Sequence, residues 1–313
     1  MLCSQEFPGC PQRCQGQLGI YIRQQNDQTD DRRGEKGMKT WFITGASTGL
    51  GREYTLAALE RGDKVAAVSI DPENMQDYKE KYGDSVFVKY IDVTDRKMVF
   101  DVFNEAVEAF GHIDVVVNNA GYMQFGAVEA MSEEEARKIV DCNFFGTLFV
   151  SQAAAEHMRL RRSGTIIQTS SLAGIDTIAG EGLYGATKYA VLGMSQGLYH
   201  ELKDLGVRVI VVQPGPIKTT MAKRTKLCAR QIPDYSAVLQ EETDRWVKND
   251  EYEGDEGDPA KCAQLMLRLA DSENPPRHIV FTTFAYDILN IVLKERLAEA
   301  EEWKAESASV DLR

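Results

Sequence analysis

At 313 residues and a formal net charge of −12, the chain is long enough for one large α/β domain or two small ones. Its acidic balance repels phosphate backbones and anionic lipid, so neither nucleic acid nor a membrane surface is a natural partner. No run of 18 apolar residues and no basic-then-apolar leader pattern occurs, which points to a cytoplasmic protein.

In chain order, residues 1–37 come first: polar, without apolar periodicity, and ending in the charged run Asp30 to Lys36. Such a segment cannot offset its ordering entropy and is expected to be disordered, with Met38 a candidate alternative start. From Lys39 the pattern changes. Short β-branched runs at Thr40–Thr44, Lys64–Ser69, Val86–Ile91, Val115–Asn118, Thr165–Thr169, Arg208–Gln213 and His278–Thr282 predict seven strands. Between them, Arg52–Arg61, Met98–Phe110, Glu133–Met158, Tyr184–Leu205 and Pro259–Ala270 predict helices. Alternation of this kind calls for a single doubly wound, Rossmann-type α/β domain over 38–313, a parallel seven-stranded sheet with helices on both faces. Residues 221–258 read as a polar insertion, and the tail from Lys294 as a charged helix that frays.

The first strand runs into Thr44-Gly45-Ala46-Ser47-Thr48-Gly49-Leu50-Gly51, and a helical pattern follows. Glycines serve where a chain turns tightly and where backbone must approach a pyrophosphate, and the helix N-terminus then offers free N–H groups to the phosphates. Strand before and helix after is the context that gives a glycine-rich turn this meaning. Cys3, Cys10 and Cys14 cluster early while Cys142, Cys228 and Cys262 are scattered. None is paired as a zinc site requires, so no metal is expected and the thiols read as reduced.

The spacing TGxxxGxG, followed in order by Asp92-Val93, Asn118-Asn119-Ala120-Gly121, Asn143, Ser170-Ser171, Tyr184-Gly185-Ala186-Thr187-Lys188 and Pro214-Gly215 with Thr219, resembles the short-chain dehydrogenase/reductase family. The resemblance spans about Lys39 to Thr283. Within the family it is most similar to bacterial reductases related to 17β-hydroxysteroid and retinol dehydrogenases. Each motif alone has a plainer reading: a Tyr and a Lys four apart are usually a solvated pair, and Asn-Asn-Ala-Gly can simply end a strand. Their joint order on strand ends, where open α/β sheets bind ligands, favours the functional one.

The resemblance implies a hydride passed between NAD or NADP and a carbonyl or secondary alcohol. It assigns Gly45, Ser47, Thr48, Gly49, Leu50 and Gly51 to the phosphates, Ser69, Asp92 and Val93 to the adenosine end, and Asn119, Ala120 and Gly121 to the ribose. Pro214, Gly215, Ile217 and Thr219 would fix the carboxamide. Tyr184 would be the acid/base and Lys188 would bind the nicotinamide ribose. Ser171 would stabilise the substrate oxygen, and Asn143 would relay protons through a water. A phenol ordinarily titrates near 10, so Lys188, one turn away, joined by the positive nicotinamide ring of the oxidised cofactor, is expected to lower the pKa of Tyr184. No histidine is needed.

At the end of the second strand, Ser69 stands where relatives carry an acid and Ile70 where many carry Arg, with Asp71 beyond. No cation is in view apart from Arg52, so the reading leans to NAD. The substrate, a moderate-sized ketone or alcohol, is hidden in the loop from Met221. Apolar residues on the third and fourth helical segments (Phe144, Phe145, Phe149, Val191, Leu192, Leu198) suggest a homodimer or homotetramer. Two other functions are open. A cofactor-sensing regulator would usually have lost the Tyr/Lys pair, and a sugar-nucleotide epimerase or dehydratase would show TGxxGxxG.

Overall fold

The computed structural model describes residues 37–244 and 256–312. The expected disordered extension therefore lies, Gly37 apart, outside the described residues, as does part of the 221–258 insertion.

The core strands follow from runs of β-branched and small residues that bury both faces. These are β1 Thr40–Thr44, β2 Lys64–Ser69, β3 Val86–Tyr90 and β4 Val115–Asn118. A short β5, Gln124–Phe125, pairs with β8, Lys226–Leu227. The main sheet continues with β6 Gly164–Thr169, β7 Val207–Pro214 and β9 His278–Phe281. Its order is β3-β2-β1-β4-β6-β7-β9, all parallel. The period of two is preserved although both faces are buried. On β1, Trp41 and Ile43 join one apolar cluster and Phe42 the other, and on β4 Val115 and Val117 oppose Val116.

Two layers of helices cover these faces. On one side α1 (Gly49–Glu60) packs against α9 (Pro259–Asp271), with Tyr78 of α2 (Gln76–Tyr82) in the same cluster. On the other lie α3 (Arg96–Phe110), α5 (Thr147–Arg161) and α6 (Gly182–Leu202). Capping residues set several starts: Asp95 accepts from Met98 N at the head of α3, and Asp258 accepts from Ala260 N ahead of Pro259.

The expected helix Glu133–Met158 is three pieces. The helix α4 (Glu133–Val140) opens with a Ser132/Glu135 capping box, a π turn spans Asp141–Gly146, and α5 follows. Helix α1 begins three residues earlier than expected, because the glycine turn itself forms its first turn.

The insertion carries α7 (Met221–Arg224), β8 and α8 (Ser236–Thr243). The tail departs most from expectation. One helix, α10, runs from Thr283 to Glu302 and is followed by α11 (Lys304–Ala308). Thr282 caps α10 through its hydroxyl (Ala285 N, 3.2 Å) while holding φ 82° and ψ 149°, a conformation that costs a β-branched residue strain. Arg296 anchors the helix, donating to Ile175 O (3.0 Å) and to Tyr189 Oη (2.8 Å).

Candidate active site

The sheet order reverses direction between β1 and β4, so the loops leaving these strands diverge and open a crevice at their C-terminal ends. Gly45 turns the chain there with φ 66°, and a Cβ on it would meet Ala120 Cα at 3.1 Å. A Cβ on Gly51 would lie 2.2 Å from Gly45 O, so the first turn of α1 closes on the strand end only without a side chain. The loop after β4 is tied to this turn. Asn119 N and Ala120 N both donate to Thr44 Oγ1 at 3.0 Å, and Asn119 Nδ2 donates to Thr44 O at 3.1 Å. Beneath it, Asn118 Nδ2 donates to Gln168 Oε1 (2.8 Å) and to Ser151 Oγ (3.1 Å), a buried network across β4, β6 and α5.

The resulting cradle fits a dinucleotide. Thr48 is the N-cap of α1, yet its side chain makes no bond to the helix N–H groups, which leaves the positive end of the helix facing the crevice. Leu50 packs into the core, so only its backbone is available to a ligand. Ser47 Oγ and Ser69 Oγ lie 2.8 Å apart at the end of β2, Ile70 is 67% exposed, and the Asp71 carboxylate accepts from Asn74 Nδ2. Asp92 Oδ1 accepts from Thr94 N (2.9 Å) and Thr94 Oγ1 (2.7 Å), so one of its oxygens serves its own turn. Val93 is buried against Gly146.

At the other end of the crevice four predicted residues converge. Tyr184 is 5% exposed, and Lys188 Nζ lies 5.6 Å from its ring centroid. Lys188 Nζ donates to Thr169 O at 3.0 Å. The two serines separate: Ser170 Oγ is buried and donates to Lys188 O (2.9 Å), whereas Ser171 is half-buried and its hydroxyl interacts with the Tyr184 phenol. Asn143, in the π turn, clamps the loop after Gly121 from both sides. Its Oδ1 accepts from Tyr122 N (3.0 Å) and its Nδ2 donates to Tyr122 O (2.9 Å) and to Thr187 Oγ1 (3.1 Å). A Cβ on Gly121 would sit 3.0 Å from Asn143 Oδ1 and 3.7 Å from Lys188 Nζ.

Burial dominates the electrostatics here. Burial pushes the Tyr184 phenol up to about 12, the interaction with Ser171 pulling against it. Burial also pushes the Lys188 ammonium down to about 8, opposed by nearby Cys142. Desolvation disfavours the charged form of both groups, and the amine is turned to a backbone carbonyl.

After β7, Gly215 N donates to Phe281 O (3.0 Å), and a Cβ there would meet Thr282 Oγ1 at 2.6 Å. Pro214 ends the strand, Ile217 bridges Gly257, and Thr219 Oγ1 accepts from Met221 N (3.3 Å). Sequence reasoning missed Tyr78, whose hydroxyl donates to Ala46 O at 2.8 Å and braces the glycine turn. It also missed Glu181, at the head of α6, whose carboxyl burial raises to about 7 with help from Glu242 on the insertion. Neither has a local signal, since each acts on a partner more than 30 residues away. Among the described residues no helix is long and apolar enough to cross a membrane.

The comparisons with known proteins agree with this geometry. The family model for short chain dehydrogenase matches residues 39–228. An oxidoreductase of Botryotinia fuckeliana, BOA17, is 34% identical over 85% of this chain and 97% of its own length. The 3-oxoacyl-[acyl-carrier-protein] reductase FabG of Thermotoga maritima is 33% identical over 75% of this chain and 92% of its own. Among solved structures, a short-chain dehydrogenase from Streptomyces avermitilis superimposes with a TM-score of 0.80 at 31% identity, covering 88% of this chain and all of that one. ElxO with NADP bound gives 0.63 at 27% identity over 78% and 96%. The glycine turn, the crevice at the reversal of strand order and these matches lead to one conclusion: the chain belongs to the short chain dehydrogenase family.

Proposed function

We propose that this oxidoreductase binds NAD or NADP in the cradle at the end of β1 and interconverts a ketone and a secondary alcohol beside Tyr184. The observation that carries the reading is the buried meeting of Ser171, Tyr184 and Lys188 at one end of a crevice whose other end is an uncapped helix N-terminus. The bound nicotinamide would supply or accept the hydride. Tyr184 would give or take the proton at the substrate oxygen, and Ser171 would donate to that oxygen as its charge grows. Lys188 would hold the ribose hydroxyls, and its positive charge, with that of the oxidised ring, would draw the phenol back toward neutrality. Asn143 would keep the loop at Tyr122 in place beside Lys188. The relative ElxO, solved with NADP, and the relative FabG, named for a 3-oxoacyl substrate, support a dinucleotide-dependent carbonyl reduction here.

Tyr184→Phe tests the reading. Turnover in a cofactor-coupled absorbance assay should fall by about 10²–10⁴-fold, while dinucleotide affinity by fluorescence titration stays within about twofold of wild type, a factor worth under 1 kcal/mol. Near-normal turnover would remove Tyr184 as the acid/base.

We further propose a two-fold homo-oligomer through the face of Phe144, Phe145 and Phe149, whose rings meet in series, edge-on at 5.3 Å and tilted at 6.1 Å. Phe145 is 39% exposed, whereas Val191, expected in this face, is wholly buried in the core. Light scattering that reads only a single-chain mass would remove the oligomer.

A further inference from the structure

The crevice holds a cation that the proposed mechanism does not use. The loop leaving β7 folds back over the glycine turn, and Thr219 Cβ lies 3.8 Å from where a Cβ on Gly49 would stand. Five residues on, Arg224 closes α7 and its Nη1 donates to Thr48 Oγ1 at 2.5 Å, across 176 residues of chain. Thr48 caps α1 without bonding its N–H groups. A guanidinium placed there opposes the helix field, because the N-terminus of a helix carries partial positive charge and repels a cation. Such an arrangement is favourable when an anion lies between the two.

The other cation nearby is already satisfied. Arg52, in the first turn of α1, pairs with Asp77 and lies over the Tyr78 ring. Arg224 forms no ion pair among the described residues. The end of β2 supplies no positive charge either. Ser69 is bonded to Ser47, Ile70 is apolar and exposed, and the Asp71 carboxylate is held by Asn74. Open N–H groups, the helix dipole and a guanidinium thus converge with no ion pair to a carboxylate among the described residues.

We infer that Arg224 is a phosphate-binding residue of the dinucleotide site, delivered by the loop after β7, so that seating of that loop and binding of the cofactor reinforce each other. The inference rests on the dinucleotide reading above. Its chemistry is a planar guanidinium fork on phosphoryl oxygens. Two groups of the ligand offer those oxygens, the pyrophosphate and the adenosine 2′-phosphate of NADP. Beside Arg52, the one cation in view from the sequence, the fold brings a second from a distant segment.

Calorimetric titration of the full chain with ADP, 2′,5′-ADP, NADH and NADPH, at low and high salt, tests this without recourse to activity. Arg224→Ala should lose about tenfold in affinity for the phosphate it serves, the scale of one charge-assisted hydrogen bond at an exposed position. A loss shared by ADP, NADH and NADPH, the three ligands that carry a diphosphate, assigns the guanidinium to the pyrophosphate. A loss confined to 2′,5′-ADP and NADPH assigns it to the 2′-phosphate. In either case Arg224→Lys should recover part of the loss, since it keeps the charge and gives up the fork, and the effect should shrink at high salt. Unchanged affinity for all four ligands, in an Arg224→Ala protein that melts like wild type, overturns the assignment and leaves the dinucleotide site intact. If the wild-type chain binds none of the four, the dinucleotide reading itself fails.

Discussion

The glycine cradle and the insertion after β7 meet at one crevice but are built by opposite means. In the cradle, backbone touches backbone: Gly51 approaches Gly45 O, Asn119 and Ala120 bond to Thr44, and Tyr78 braces Ala46. The insertion is held instead through side chains, Arg224 on Thr48 at the cradle and, away from it, Tyr235 Oη on Glu129 (2.8 Å) and Glu242 toward Glu181. A rigid frame on one side and an adjustable cover on the other follow from that difference. Close backbone contact leaves no slack, whereas long side chains can re-form their contacts elsewhere.

Three changes sharpen the comparison, in falling order of effect. Gly51→Ala should be the most severe, because its new methyl would fall on a backbone carbonyl that cannot move aside. Chemical denaturation should show a loss of about 3 kcal/mol, with dinucleotide binding lost alongside. A near-wild-type midpoint would mean the cradle yields as the insertion does. Arg224→Ala, by contrast, should leave stability unchanged and alter only phosphate affinity.

Glu181→Gln should have the smallest effect, visible only as a pH dependence. Burial, aided by Glu242, raises the native carboxyl from 4.5 to about 7. Between those values the native state holds a proton that the unfolded chain releases, so wild-type stability is present below 4.5 and is lost as pH rises through about 7. The glutamine variant should show a flatter profile across that window when melting temperature is followed against pH. A profile parallel to wild type would show that burial does not raise the Glu181 carboxyl.

The fold was legible in the sequence because its signals are local. β-branched runs alternate with amphipathic ones at the lengths a parallel sheet requires, and each predicted strand lies within a residue or so of the one observed. Helix α10 was legible as a charged helix, but its anchor was not. Its charge pattern predicts fraying, yet Arg296 ties it to Ile175 and Tyr189, partners more than 100 residues away. The π turn under Asn143 was equally invisible, since a helix with one extra residue per turn carries the same kind of residues as one without.

What the chain's own order determined was the seven parallel strands, the glycine turn ahead of α1, and a Ser, Tyr and Lys placed on consecutive elements that end in one crevice. These depend on the residue type at a position and its neighbours a few places away. Tertiary structure decided the rest. It turned Lys188 to Thr169 O and raised the Tyr184 phenol, it set Ser171 rather than Ser170 against that phenol, and it brought Arg224 to Thr48. Desolvation and the charge of a partner distant in sequence arise only when the chain is packed, so no window of sequence contains them.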